Sequence, residues 1–134
     1  MPLDLPAAPA AALWTGLLLI LLLFLSVRVT RQRRKHKVAE GDGGQPALAS
    51  AIRAFGNATE YIPAAIGALA VLALAGANAP VVHLAGGALF VGRMVHAFGL
   101  SRSAGVSRAR SIGMLLTWVS YVFAAVALLV YAIV

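Results

Sequence analysis

The sequence predicts an all-α fold, a four-transmembrane-helix bundle, on three observations. Of its 134 residues, 61% are hydrophobic and 11% are charged. That is too little polar surface to cover a water-facing domain. Three runs carry no charged residue at all: Leu5 to Val27, Tyr61 to Gly92 and Ser111 to Val134. A helix needs about 20 apolar residues to cross the hydrocarbon core, and helices keep every backbone polar group paired inside it. The outer runs therefore read as one span each and the middle run as two. Helices are predicted at about 8–29, 46–76, 80–100 and 109–133 in a single integral membrane domain over residues 1–134, with loops at 30–45 and 101–108.

The first run is preceded by Asp4 and followed by arginines, where a cleaved secretion signal would have a basic start and a small-residue cleavage site. It reads as a retained helix. Arg28, Arg31, Arg33, Arg34, Lys35 and Lys37 follow it, and Arg102, Arg108 and Arg110 separate the third span from the fourth. The positive-inside rule places both basic loops in the cytoplasm and both termini outside, in the periplasm if the membrane is a bacterial inner membrane. The formal net charge is +7. Its basic cluster is a topology signal and a contact for anionic headgroups, and it lacks the interleaved aromatics or recognition module of a nucleic-acid binder. With no cysteine in the chain, disulfide and protein-thiol chemistry are excluded. Neither His83 nor His96 has a second ligand at metal spacing, so no metal site is expected. His83 reads as an interfacial residue.

Glu40-Gly41-Asp42-Gly43-Gly44 forms a turn, and Pro46 fits the first turn of the second helix. Small residues such as Ala64, Gly67, Ala68, Ala73 and Ala77 permit close helix contact. Pro63 is expected to bend this helix and to free a carbonyl near Thr59. Tyr61 to Gly92 must supply two arms and a turn, and roughly 16 residues per arm reach only about 24 Å of a roughly 30 Å core. The flanking polar residues are drawn to the membrane edge. With the turn centred on Asn78, Glu60 and His96 stand equally far from it along the chain. Arg28, Arg53, Asn57, Glu60, Arg93, His96 and Arg110 fall in one cytoplasm-facing layer. Arg53, Asn57 and Glu60 share one helix face at i, i+4 and i+7. Arg93 and His96, at i and i+3, are placed to face them, and Glu60 and Arg93 are candidates to pair across the helices.

Arginine binds carboxylate in a fork, asparagine reads amides and glutamate accepts from amines. A small zwitterionic peptide would satisfy this layer. An arginine near a bound thiol also favours the nucleophilic thiolate.

Arg53-Ala54-Phe55-Gly56-Asn57-Ala58-Thr59-Glu60-Tyr61-Ile62-Pro63 resembles the second-helix signature of the membrane-associated proteins in eicosanoid and glutathione metabolism, the MAPEG family, and Gly92-Arg93-Met94-Val95-His96 resembles its third-helix motif. The likeness runs from Arg28 to Arg110-Ser111 and is nearest to the short bacterial members. It implies a homotrimer holding glutathione between adjacent subunits near the cytoplasmic side. Arg53, Asn57, Glu60 and Tyr61 would bind the peptide with Arg93, Arg28 would assist, and His96 would line the site. Arg110 and Ser111 match the segment that approaches the thiol, with Arg108 as a competing alignment. Leu100 and Met114 stand where eukaryotic relatives carry tyrosines, so the likeness extends to glutathione binding more securely than to the specialised eicosanoid reactions. The implied activity is a glutathione-dependent transferase or peroxidase acting on lipophilic electrophiles from the bilayer. Two other classes compete with it. One is a catalytically silent binding or scaffold protein of the same fold. The other is a small multidrug transporter, which needs an ionisable group inside a span that the first run lacks.

Overall fold

The computed structural model describes residues 5–102 and 107–133; Asp4 and positions 103–106 of the 101–108 loop lie outside the described residues. Four helices follow one another: α1 (Ala8–His36), α2 (Pro46–Leu74), α3 (Ala79–Arg102) and α4 (Arg108–Ile133). Each is long and apolar enough to span a bilayer, and the protein is an integral membrane protein with four spans. Its outward surface fits that setting, since Ile20, Leu23, Phe24, Leu74, Leu84, Val122 and Leu129 are all exposed. An apolar patch of that extent faces lipid in a membrane protein.

α1 is the one helix that extends well past its predicted end. Instead of closing near residue 29 it carries its basic stretch to His36. Arginine, lysine and glutamine are good helix formers, and cations are favourable in a final turn. Lys37 then adopts the left-handed conformation (φ 55°), and the Lys37 and Val38 N–H groups donate to the carbonyls of Arg34 and Arg33. This closes the helix with paired carbonyls. Arg33 bends back to donate to the carbonyls of Ala39 (3.1 Å) and Gly41 (2.9 Å), which takes it out of the set available to headgroups. Asp42 accepts from the Gly44 N–H at 2.9 Å, fixing the turn before Pro46 at the first position of α2. α2 runs through Pro63 without interruption.

The turn between α2 and α3 is built by Gly76 at φ 78° and by Asn78, whose Oδ1 accepts the Val81 N–H at 3.4 Å, a side-chain cap for α3. The Asn78 N–H donates to the Tyr131 hydroxyl at 3.2 Å, which ties the end of α4 to the hairpin. Nearby, Trp14 lies in a cradle that only the bare Cα of Gly86 permits, and its Nε1 donates to His83 Nδ1 at 3.1 Å. Such a pair suits a wet membrane edge.

α3 is central, packing on α1, α2 and α4; α4 packs on α3 and α2, and among the described residues it makes no packing contact with α1. The close approach is between α3 and α4, at glycines. A Cβ on Gly113 would stand 2.5 Å from the His96 nitrogen and 2.6 Å from the Gly92 carbonyl oxygen, and one on Gly99 would stand 2.8 Å from the Arg110 nitrogen. Without a hydrophobic force between helices in lipid, small residues that let backbones meet supply the packing. Gly67, singled out on α2, does not play this part, whereas Ala73 and Ala77 are buried in the core. A Cβ on Gly67 would meet nothing within 4 Å.

Gly113→Ala forces backbone against backbone and should lower stability by about 1–3 kcal/mol, whereas Gly67→Ala should leave it unchanged within about 1 kcal/mol. Reversible unfolding in mixed detergent micelles measures both.

Candidate functional site

Arg93 is the centre of the polar layer. It is 2% exposed, and its guanidinium is spread over three helices. Nη1 donates to Asn57 Oδ1 on α2 at 2.6 Å, and Nε donates to Thr117 Oγ1 on α4 at 2.9 Å. Nη2 lies 3.9 Å from the sulfur of Met114, a weak acceptor. The guanidinium carbon sits 4.9 Å above the ring of Tyr61, within cation–π range. Burying a charge of this kind is tolerable only with its donors satisfied. The partners are held in turn. The Thr117 hydroxyl donates to the Gly113 carbonyl at 2.8 Å, Tyr121 donates its hydroxyl to the Tyr61 carbonyl, and the two tyrosine rings meet edge to face at 5.8 Å.

The α2 stripe is arranged as its spacing requires. Arg53 and Glu60 are exposed and Asn57 is half-buried between them. Asn57 works in two directions, accepting from Arg93 while its Nδ2 donates to Glu60 Oε2 at 3.4 Å. Arg93 and Glu60 are thus linked through Asn57, and the hydrogen bonds of the guanidinium go to neutral groups. Glu60 itself is exposed, with its carboxylate accepting only this one bond from Asn57 among the described residues.

One turn beyond Arg93, His96 is 6% exposed and lines a groove of about 380 Å³ with Arg110, Ser111, Met114, Leu115 and Trp118. The bare backbones of Gly99 and Gly113 bring the start of α4 this close, and the Ser107 hydroxyl caps it by accepting the Arg110 N–H at 3.3 Å. Met114 joins the two halves, touching Arg93 on one side and lining the groove on the other. The layer thus brings together Asn57, Glu60, Tyr61, Arg93 and His96, with Arg110 and Ser111 in the adjoining groove. Arg53 stands one turn from Asn57, and Arg108 is exposed at the start of α4.

Arg28 is placed apart from this group. Its Nη1 donates to the Ser101 hydroxyl, which donates to the Ala97 carbonyl at 2.7 Å, on the side where α1 meets α3. Sequence reasoning passed over Thr117 and Tyr121, which complete the Arg93 network. The signal was present, because a hydroxyl inside an uncharged span needs a partner. Nothing in the sequence said which.

Among the described residues no cluster of three or more metal-ligating side chains occurs. The model of the MAPEG family matches residues 11–130. Two curated relatives, both named "Inner membrane protein YecN", come from Escherichia coli strain K12 and from Escherichia coli O6:H1 strain CFT073. Each is 42% identical over 108 residues, which is 81% of this chain and 81% of the relative.

Thr117 has no solvent exposure, so Thr117→Val removes the Nε acceptor without changing shape. It should cost about 1–3 kcal/mol of stability, whereas Ser111→Ala at the exposed groove rim should cost almost nothing. Parallel unfolding curves of the two variants check this.

Proposed function

The chain belongs to the MAPEG family, and on that premise we propose that it binds glutathione in the polar layer around Arg93 and transfers the thiol to, or reduces, lipophilic electrophiles drawn from the bilayer. The observation that carries this reading is the division of labour inside the layer. Arg93 directs its hydrogen bonds to neutral partners, so neither Arg53 nor Glu60 is paired with it, and both stand exposed on the same face of α2. Arg53 offers a fork to a carboxylate, Asn57 an amide partner and Glu60 an acceptor for an ammonium group. Arg93, stacked on the Tyr61 ring, holds Asn57 in place, and His96 lines the groove. When bound, glutathione supplies a thiol nucleophile that a chain without cysteine cannot. Arg110 with Ser111, or Arg108 in the competing assignment, stabilises the sulfur anion from the groove. In the transfer reaction the sulfur–carbon bond forms as the leaving group departs with its electron pair, and the bilayer concentrates the acceptor.

We also propose a homotrimer with the site between adjacent copies, in an inner membrane with the basic loops cytoplasmic and the termini periplasmic. α1 packs on α2 and α3 and not on α4, so Arg28 reaches the α3–α4 groove only from a neighbouring copy. A second reading is a binding protein without turnover. Leu100 is buried and Met114 lies against Arg93, so no tyrosine hydroxyl stands at either position to assist the thiol. Turnover of a generic electrophile separates the two readings once binding is established.

Isothermal titration of the solubilised protein with glutathione should give binding that weakens at least roughly tenfold in Arg53→Ala and in Glu60→Gln, the scale of a lost charged hydrogen bond. Affinity unchanged in both variants removes the assignment. An ultraviolet difference spectrum on binding should report thiolate, diminished in whichever of Arg110→Ala and Arg108→Ala faces the sulfur.

A further inference from the structure

A second groove lies on the opposite side of α3, between α3 and α1. It encloses about 510 Å³ and is walled by apolar side chains, among them Leu17, Phe24, Phe90, Met94 and Phe98. Arg28, bonded to Ser101, closes its cytoplasm-facing end. Two further cations stand at that end. The guanidinium of Arg102 lies 4.3 Å over the ring of Phe98, and Arg31 lines a furrow that continues from the groove past Ile20, Phe24 and Arg28. Both arginines are exposed, and no acidic residue lines the groove or the furrow.

We propose that the α1–α3 groove binds an acyl chain of an anionic phospholipid from the adjoining leaflet, with Arg31 and Arg102 receiving its phosphate. Length supports this occupant. From Leu17 to Arg28 the wall rises about 16 Å at 1.5 Å per residue, half of a roughly 30 Å hydrocarbon core and therefore one leaflet deep. Charge supports it as well. Arginines just outside the hydrocarbon attract anionic headgroups, and the stacking on Phe98 holds Arg102 at the mouth. Arg28 is bonded to Ser101, and the two residues that receive the headgroup, Arg31 and Arg102, have no part in the proposed glutathione site, so the two readings stand or fall separately.

The test is native mass spectrometry of the full chain released from detergent supplemented with phosphatidylglycerol or with phosphatidylcholine of the same chain lengths. The wild type should retain phosphatidylglycerol preferentially, at one per chain. Arg31→Gln and Arg102→Gln should each lower its retention roughly fivefold, and Met94→Trp should lower retention by filling the groove. All three positions are exposed, so folding is preserved, and glutathione binding in the same preparations should be unchanged. Equal retention of the two lipids, or wild-type retention in both arginine variants, overturns the proposal. So does quantitative disulfide-linked dimer in the otherwise cysteine-free Phe98→Cys chain in native membranes, which would put a second copy in the groove.

Discussion

One buried guanidinium sets the terms for the rest of this molecule. In a bilayer a charged side chain within a span is costly, and it persists where its donors are met by fixed partners. Arg93 meets that condition with one partner from α2, one from α4 and an aromatic ring beneath it. Because the partners sit on different helices, satisfying the charge also fixes the relative height of those helices. Helix register in lipid is otherwise weakly specified, since apolar faces slide past one another with little change in burial. Here α2 and α4 are pinned to the same level of α3.

The glycine contacts act at right angles to that constraint. Gly92, Gly99 and Gly113 set how closely α3 and α4 approach, while Arg93 sets how they align along the membrane normal. Together they place His96, Arg110 and Ser111 around one groove, with Asn57 and Glu60 in the neighbouring layer. The proposed binding surfaces are thereby built on helices whose buried polar groups are paired through Thr117, Tyr121 and the backbone.

Much of this was legible in the sequence. The four spans followed from where charge is absent, and the shared face of Arg53, Asn57 and Glu60 followed from helical spacing. Counting outward from Asn78 set Glu60 level with His96, whereas the Asn57–Arg93 and Ser50–Leu100 bonds fix a register that leaves Glu60 nearer the hairpin turn than His96. What was not legible depends on pairing between segments distant in the chain. Spacing put Arg93 opposite the α2 stripe and named Glu60 as its candidate partner, whereas the guanidinium donates to Asn57, and Thr117 had no local pattern to mark it. The far end of α1 was misjudged because hydropathy registers the edge of the membrane, whereas a helix of good formers continues past it until Lys37 turns left-handed. Arg28 was grouped with the layer by depth alone. Depth does not fix the side of the bundle, and its partner proved to be Ser101.

A double-mutant cycle on stability between Arg93→Met and Asn57→Leu, read by reversible unfolding in mixed detergent micelles, tests the hub directly. If the guanidinium pins α2 through Asn57, the two losses overlap and the double variant loses less than their sum by about 0.5–3 kcal/mol. Losses that add within about 0.5 kcal/mol would mean that the two side chains act independently, and the layer would have to be held together by something other than this bond.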